Sequence, residues 1–466
     1  MQMLSNAACG LDVHKDKIDA CVRINNGTVD GEIVIKTFST MRKALFELRD
    51  WLASLNCSKV LMESTGIFWM PIYWILDEVI GMDVGLGNSR DMKNVPGRPK
   101  TDKEDAKWIS RLCMYGLVLK SFIVAKPFRS LREYSRYHKK LVYDRTRQIN
   151  RIEKLLQMHG FKLSSVLSDI NGASGLRILK MLAEKGELTV SDIQGLLHRQ
   201  CKKTPEEVAY AINGSMKTSS CFLLKLQIKK LESCDKEIEE VFNCMVAMSK
   251  EHDWAIKIIA SIPGLSTLSA LYIIAEIGTD FLSFKSVKHL TAWAGLAPKD
   301  KESAGKRFSS KTGKANQYVK SLLIQCAWAA TKSRKTRVAN WFWCNRSRLG
   351  DKKAITAVAR KLLCYIYAML QSKTLYDKSL DVAATDTIKA KKLDAAQKII
   401  GSQKRDGNSS KQSNMETNIS CASVEIPKNE DYEINRIGSP KEISEKVPKK
   451  RGRPRKVAAP DEVVKN

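Results

Sequence analysis

Four acidic residues near the start of the chain have the type and spacing of a site for a hard divalent cation. Asp12 ends a short apolar run at 8–11, and Glu63 ends another at 60–62. Asp102 and Asp105 sit in Lys-Thr-Asp-Lys-Glu-Asp-Ala, three residues apart, and so share one face if that segment is helical. Mg²⁺ takes clustered carboxylate oxygens. If Asp12 and Glu63 end neighbouring strands, all four converge at one edge of a sheet. Two ions held about 3.5–4 Å apart there would activate a nucleophile and stabilise a leaving oxygen. Singly, each residue has a plainer reading: Asp12 a turn, Asp102 a helix N-cap. Only the set, in order and on those elements, points to a site.

A second candidate group lies far downstream. A polar, basic loop of small residues, 299–316, holds Ser303, Ser309 and Ser310 beside Lys306 and Arg307. A hydroxyl becomes a useful nucleophile only when its ionisation is made cheaper. Lys306, Arg307 and a metal at the carboxylates would each do so. The plainer reading of any loop serine is solvation.

The elements that must position these groups follow from periodicity. Strand-like runs occupy 8–13, 18–24 and 32–38, close enough to pair antiparallel. A helix pattern covers 41–55, a strand 59–63, a helix 67–79, a short strand 83–86 and a helix 102–115. Strands separated by helices join in parallel. Three strands followed by strand–helix alternation is the layout of a ribonuclease-H-like sheet. Residues 126–157 hold ten Lys/Arg against three acids. Leu131, Tyr134, His138, Leu141, Arg145, Gln148, Ile152 and Leu155 form an imperfect heptad seam; Leu224, Ile228, Leu231, Asp235, Ile238, Phe242 and Met245 form a cleaner one. Two such helices suit an antiparallel hairpin. Residues 261–277 read as a helix–hairpin–helix around Ile262-Pro-Gly-Leu265, a turn able to offer backbone N–H groups to phosphate. Helical patterns fill 317–331 and 352–371.

The balance of charge names a partner. The formal net charge is +29, an excess that favours a polyanion through counterion release. Residues 373–466 hold 20 basic and 14 acidic residues, a surplus of six, so 23 of the excess charges lie before them. No apolar run reaches the roughly 18–20 residues of a membrane span, and the first residues lack the pattern of a secretion signal. None of the twelve cysteines forms a Cys-x-x-Cys pair, so reduced thiols are expected in place of zinc ligands. From 373 periodicity fades, and 400–466 have the composition of a disordered tail. Within it Lys449-Lys-Arg-Gly-Arg-Pro-Arg-Lys456 resembles an AT-hook, with Arg451 and Arg453 entering a narrow minor groove.

Gly10-Leu-Asp-Val-His-Lys15, Glu63-Ser-Thr-Gly66 and Lys100-Thr-Asp-Lys-Glu-Asp-Ala106 resemble the DEDD, RuvC-like domain of the IS-one-ten family of insertion-sequence transposases. The resemblance continues through Ser261-Ile-Pro-Gly264, Ala294-Gly-Leu-Ala-Pro298, Glu302-Ser-Ala-Gly-Lys306, Lys314-Ala-Asn-Gln-Tyr318 and the segment 351–359, covering about residues 7–372. It implies an α/β ribonuclease-H-like (RuvC-like) domain at 1–125, a helical coiled-coil region at 126–254 and a mostly α transposase domain at 255–372; the basic, largely disordered tail expected at 373–466 lies outside the resemblance. It implies catalysis by Asp12, Glu63, Asp102 and Asp105 as Mg²⁺ ligands and by Ser303 as a nucleophile that forms a phosphoserine. It also implies DNA and a bridge RNA as partners, a dimer assembling to a tetramer, and a cytoplasmic, nucleoid-associated bacterial or archaeal protein without a membrane anchor. Candidate nucleic-acid contacts are Arg129, Arg132, Arg136, Lys139 and Lys140 on the basic helix, Lys306 and Arg307 in the loop, and Arg451 and Arg453 in the tail. Phe68, Asn88-Ser89 and Ala315 depart from the common pattern; Ala315 stands where glycine is usual, before Asn316. Two other readings compete: a junction-resolving nuclease that uses water, and a nucleic-acid-binding scaffold without catalysis.

Overall fold

The computed structural model describes residues 5–381 except 29–30, 65, 96–101, 282, 299–300, 304–305, 310, 314 and 380; the side chains of residues 93, 102–103, 301–303 and 306–309 also lie outside the description. Two compact units emerge. One joins Met1–Glu133 to Ser249–Asp381, and the other holds Tyr134–Met248. Segments expected as a first and a third domain therefore share one unit, and the boundaries fall near 133 and 248.

The first unit begins with β1 (Ala7–Val13), β2 (Lys17–Ile24), β3 (Glu32–Ser39), α1 (Arg42–Ser54), β4 (Lys59–Glu63), α2 (Trp69–Leu76), β5 (Asp83–Gly87), α3 (Ser89–Lys93) and α4 (Asp102–Tyr115). The sheet order is β3-β2-β1-β4-β5. β1, β2 and β3 pair antiparallel because their connections are short; β4 and β5 join in parallel because helices carry the crossovers. This mixed sheet is consistent with a ribonuclease-H-like α/β domain. α2 tolerates Pro71 because it falls in the first turn, where no intrahelical N–H is needed.

Strand alternation sorts the sheet into two faces. Cys9, Leu11, Val13, Ile18, Ala20, Val22, Val60, Met62, Val84 and Leu86 pack with Leu45, Leu48 and Leu52 of α1 and with Ile72 and Leu76 of α2. Leu61 lies on the other face, where it packs with Trp108, Ile109 and Leu112 of α4. Truncating one of these buried leucines to Ala costs about 2–5 kcal/mol. α4 lies so close to β1 that a Cβ on Gly10 would stand 2.1 Å from Ser110 N and 2.5 Å from Ala106 O.

The chain then enters α5 (Lys126–Met158), whose first turns belong to this unit. The second unit holds the rest of α5, then α6 (Leu163–Val166), α7 (Ala173–Lys185), α8 (Val190–Gln194), α9 (Pro205–Ala211) and α10 (Thr218–Met248). Arg145 of α5 pairs with Asp235 of α10, and one heptad earlier His138 meets Phe242, one heptad later on α10. That exchange fixes the two helices as antiparallel. Burial holds the pKa of His138 below its ordinary value. At the far end Ile152, Leu155 and Leu156 share a core with Leu224, Ile228 and Leu231, and α7 and α9 fill it with Ile178, Leu179, Leu182 and Val208. Tyr134 is exposed and Ser135 takes the buried place beside Leu131.

The chain returns to the first unit with α11 (Asp253–Ala260), α12 (Thr267–Ile277), α13 (Val287–Trp293), β6 (Lys301–Ser303), β7 (Lys306–Ser309), α14 (Gln317–Lys332), α15 (Arg337–Leu349) and α16 (Asp351–Ser372). The Pro-Gly turn between α11 and α12 is packed against α14. Gly264 has φ +86°, and a Cβ there would meet Ala330 N at 2.5 Å and Cys326 O at 2.6 Å. That glycine serves close packing of backbone on backbone. Beyond α16 the described chain stays fastened: Tyr376 N donates to Ser261 Oγ at 3.0 Å, and Asp381 accepts from Tyr376 Oη and from Arg337 N, each at 2.7 Å. Tyr376 and Asp381 thus fasten the chain beyond α16 onto this unit. The AT-hook-like segment lies outside the described residues. Among the described residues no helix is long and apolar enough to cross a membrane.

Candidate active site

Asp12 and Glu63 owe their placement to strand register. β1 and β4 run parallel with Leu11 opposite Met62, so the next residue on each strand is a carboxylate. By alternation Asp12 shares the face of Gly10, and Glu63 that of Leu61, which is the face covered by α4. Asp105 precedes Ala106, whose carbonyl presses on Gly10, and Asp102 begins the same helix one turn earlier. Asp12, Glu63 and Asp105 are half-buried. Glu104, the acid between the two aspartates of that motif, is occupied by Lys107 at 2.6 Å. Asp12 Oδ2 lies 3.1 Å from His14 Nε2.

Hard carboxylate oxygens suit Mg²⁺ by donor chemistry. Among the described residues, however, no three Asp, Glu, His or Cys side chains form a group able to hold an ion. The side chain of Asp102 lies outside the described residues. Placement on one face, then, is what the fold supplies.

A fifth acid escaped the sequence reading. Asp19 stands directly opposite Asp12 on β2 and is buried on the same face. It accepts from Thr37 Oγ1 at 2.7 Å and from Lys17 Nζ at 2.9 Å. Burial alone would raise its pKa, but the Thr37 and Lys17 hydrogen bonds outweigh it and hold the carboxyl below its ordinary range. The signal was in the alternation of β2, where Asp19 is the one acid at a position facing α4.

Ser303 is the last residue of β6, and the ladder sets it opposite Lys306 of β7. What sequence alone reads as a loop holds two short strands paired antiparallel. Its Lys306 and Arg307 side chains are outside the described residues. The base of this hairpin is fastened. Pro298 bridges Thr312, and Lys320 Nζ donates to Thr312 Oγ1 at 2.8 Å. Ala315 packs against Gly295, whose φ of +66° and missing Cβ make the room. Asn316 then caps α14, accepting from Tyr318 N at 2.9 Å and Val319 N at 3.3 Å.

Asn316 also reaches inward. Its Nδ2 donates at 2.7 Å to Glu276 Oε2, a carboxylate buried in the apolar helix α12. Arg132 of α5 donates to the same oxygen from Nε at 3.0 Å and from Nη2 at 2.9 Å. Glu276 therefore ties the first turns of the basic helix to the end of the Ser303 segment. Arg129 is used nearby: it pairs with Asp77 at 2.7 Å and lies 4.2 Å from the Trp74 ring. Arg129 and Arg132 both act inside the fold. Of the remaining candidates on α5, Lys140 is exposed and Arg136 and Lys139 are half-buried. Phe122 meets Phe284 at a tilt (4.6 Å) and Trp293 edge-on (5.2 Å), and the three rings form one cluster.

A mixed sheet bearing aligned carboxylates, joined to a helical part with a serine hairpin, in a strongly basic chain, is the build of an enzyme that acts on DNA. Two transposase family models match: the DEDD transposase model at residues 9–160 and the transposase IS116/IS110/IS902 family model at 256–342. The chain belongs to the IS110 family of transposases. A pilin gene-inverting protein of Moraxella lacunata is 22% identical over 394 residues, 81% of this chain and 99% of its own length; that of Moraxella bovis matches to the same extent. An uncharacterized 42 kDa protein of insertion element IS900 from Mycobacterium paratuberculosis is 29% identical over 159 residues. That match spans 34% of this chain and 39% of the relative's length.

Proposed function

We propose that this transposase cuts and exchanges DNA strands with Ser303 as nucleophile and Asp12, Glu63, Asp102 and Asp105 as holders of Mg²⁺. The observation that carries the reading is the register that sets Asp12 beside Glu63 on the face closed by α4. When bound, Mg²⁺ supplies charge that stabilises a phosphorane-like transition state and the departing oxygen. Ser303 Oγ loses its proton and bonds to phosphorus, and the displaced sugar oxygen takes up a proton. Lys306, opposite Ser303 on the ladder, would favour the ionised hydroxyl. The pilin gene-inverting relatives support strand exchange, since inversion requires two cuts and two rejoinings. A bridge RNA paired to both DNAs, with Arg136, Lys139 and Lys140 contacting its backbone, and a tetramer in which one copy's carboxylates serve another's serine, complete the reading.

The test uses the full chain with Mg²⁺, element-end DNA and co-purified RNA. Wild type is expected to give a protein–DNA adduct that survives denaturation; Ser303→Ala and Asp12→Ala are expected to give none while RNA stays bound. Cleavage by Ser303→Ala without an adduct would replace the serine by water as nucleophile.

A further inference from the structure

Between Lys332 and Arg348 the chain carries six basic residues and no acid. Most of this stretch is α15. On it Trp343 is 38% exposed, yet it is not loose. Its Nε1 donates to the Thr331 carbonyl at 3.3 Å, and its ring meets Phe342 edge-on with centroids 5.3 Å apart. The guanidinium of Arg334, in the turn before α15, sits over this ring at 4.6 Å, and that of Arg346, one helical turn along, at 5.1 Å. Arg346 is also forked onto Asp351, at 2.6 and 3.1 Å.

Stability does not account for this ordering. An exposed ion pair contributes about 0–1 kcal/mol, and each arginine carries about 2 kcal/mol of rotamer entropy when left mobile. An exposed cation–π contact returns about 0.5–1 kcal/mol. The ordering does help binding, because side chains already fixed lose less on association. With two guanidiniums over it, the indole serves to aim arginines, not to stack a base. The Arg334 guanidinium, and the N–H groups of Arg346 not forked onto Asp351, suit phosphate oxygens.

We propose that the α15 face around Trp343, with the turn before it, docks the phosphate backbone of duplex DNA through Arg334 and Arg346. The charge of the stretch is complementary to that backbone, and DNA is the substrate of the family. The proposal rests on the family's action on DNA and on neither Ser303 nor the carboxylates, so a failed binding test would leave the proposed chemistry standing.

The test measures affinity of the full chain for labelled mixed-sequence duplex DNA, and for duplex RNA of equal length, across KCl concentrations. Losing two phosphate contacts lowers the slope of log affinity on log salt by about 1.8, at roughly 0.9 per phosphate. Between about 50 and 200 mM salt, wild type should then lose about 12-fold more affinity for DNA than Arg334→Ala/Arg346→Ala. Trp343→Leu, which keeps both arginines but removes their platform, should weaken DNA binding with a smaller change in slope. An unchanged slope on DNA in the double variant, with its thermal midpoint intact, overturns the proposal. So does a loss seen on RNA alone.

Discussion

Replacing Glu276 by Gln takes one charge from a buried knot and leaves its shape. Glu276 Oε2 accepts two hydrogen bonds from Arg132 and one from Asn316. Removing one partner of a buried pair costs about 3–5 kcal/mol, mostly from the charge left behind. The Arg132 side chain is 20% exposed and water reaches it, so the lower end applies, about 3 kcal/mol. The Asn316 bond falls from charge-assisted to neutral, which adds about 1 kcal/mol. Glu276→Gln should therefore lose about 4 kcal/mol. Glu276→Gln/Arg132→Met, which removes both charges, should lose less than the single variant.

Denaturant unfolding of the full chain reads the totals, and amide exchange reads the place. The cap of α14 depends on Asn316, so the amides of Tyr318 and Val319 should exchange faster in Glu276→Gln, roughly tenfold per 1.4 kcal/mol of lost cap energy. Amides of β1 and β4 should not change. Strand cleavage should fall while DNA binding holds, since the knot lies at the end of the Ser303 segment and bears on its position. If the two substitutions add within about 0.3–0.5 kcal/mol, or if exchange at α14 is unaltered, Glu276 does not couple the two parts.

Three further outcomes follow from the same geometry. Gly10→Ala puts a methyl 2.1 Å from Ser110 N, so α4 must shift; a loss of about 1–3 kcal/mol or more in denaturant unfolding is expected, with metal-dependent cleavage abolished. Asp19 has a lowered pKa, so its contribution is fully present above its unfolded value, about 3.8, and is lost as pH falls through the folded pKa; Asp19→Asn should lower stability near neutrality and flatten the acid limb, so that the two proteins converge at low pH. Burial pushes the Cys57 thiol up to about 11 and Cys113 to about 12, whereas Cys244 and Cys344 are exposed; alkylation of the folded protein near pH 8, followed by peptide mass spectrometry, should mark Cys244 and Cys344 first, and early labelling of Cys57 would contradict the packing.

The legible parts of the sequence were those whose pattern matched a period. β1, β2 and β4 are apolar runs ended by polar residues, and α4 repeats its apolar positions at helical spacing, so the sheet and the carboxylate order could be read. α15 could not, because Trp341, Phe342 and Trp343 are consecutive and six basic residues mask the buried stripe of Val338, Ala339 and Phe342. The Ser303 hairpin hid in a composition of lysines, serines and glycines that also describes a loop. Arg129 and Arg132 look like their solvated neighbours; only the acids that meet them, 52 and 144 residues away in sequence, give them internal work. Glu276 did offer a signal, as a lone carboxylate in Leu-Tyr-Ile-Ile-Ala-Glu-Ile, where burial of a charge demands a partner.

The first unit is assembled from two stretches separated by 134–248, which raises the question of how they find each other. Closing a flexible loop of that length costs about 4 kcal/mol by the logarithmic rule. The antiparallel pairing of α5 and α10 offsets that cost, because with Arg145–Asp235 and His138–Phe242 it holds the ends of the insertion together. Those contacts are local to the hairpin and individually weak; the Arg145 and Asp235 side chains are 33% and 40% exposed, so that pair contributes no more than about 1 kcal/mol. The apolar core of Ile152, Leu155, Leu224 and Ile228 carries the hairpin instead. α5 leaves the first unit past Arg129 and Arg132, and α10 brings the chain back to it, where α12 carries Glu276, the partner of Arg132. Within the first unit, the start of α5 and the segment that ends at Asn316 are linked by one buried carboxylate.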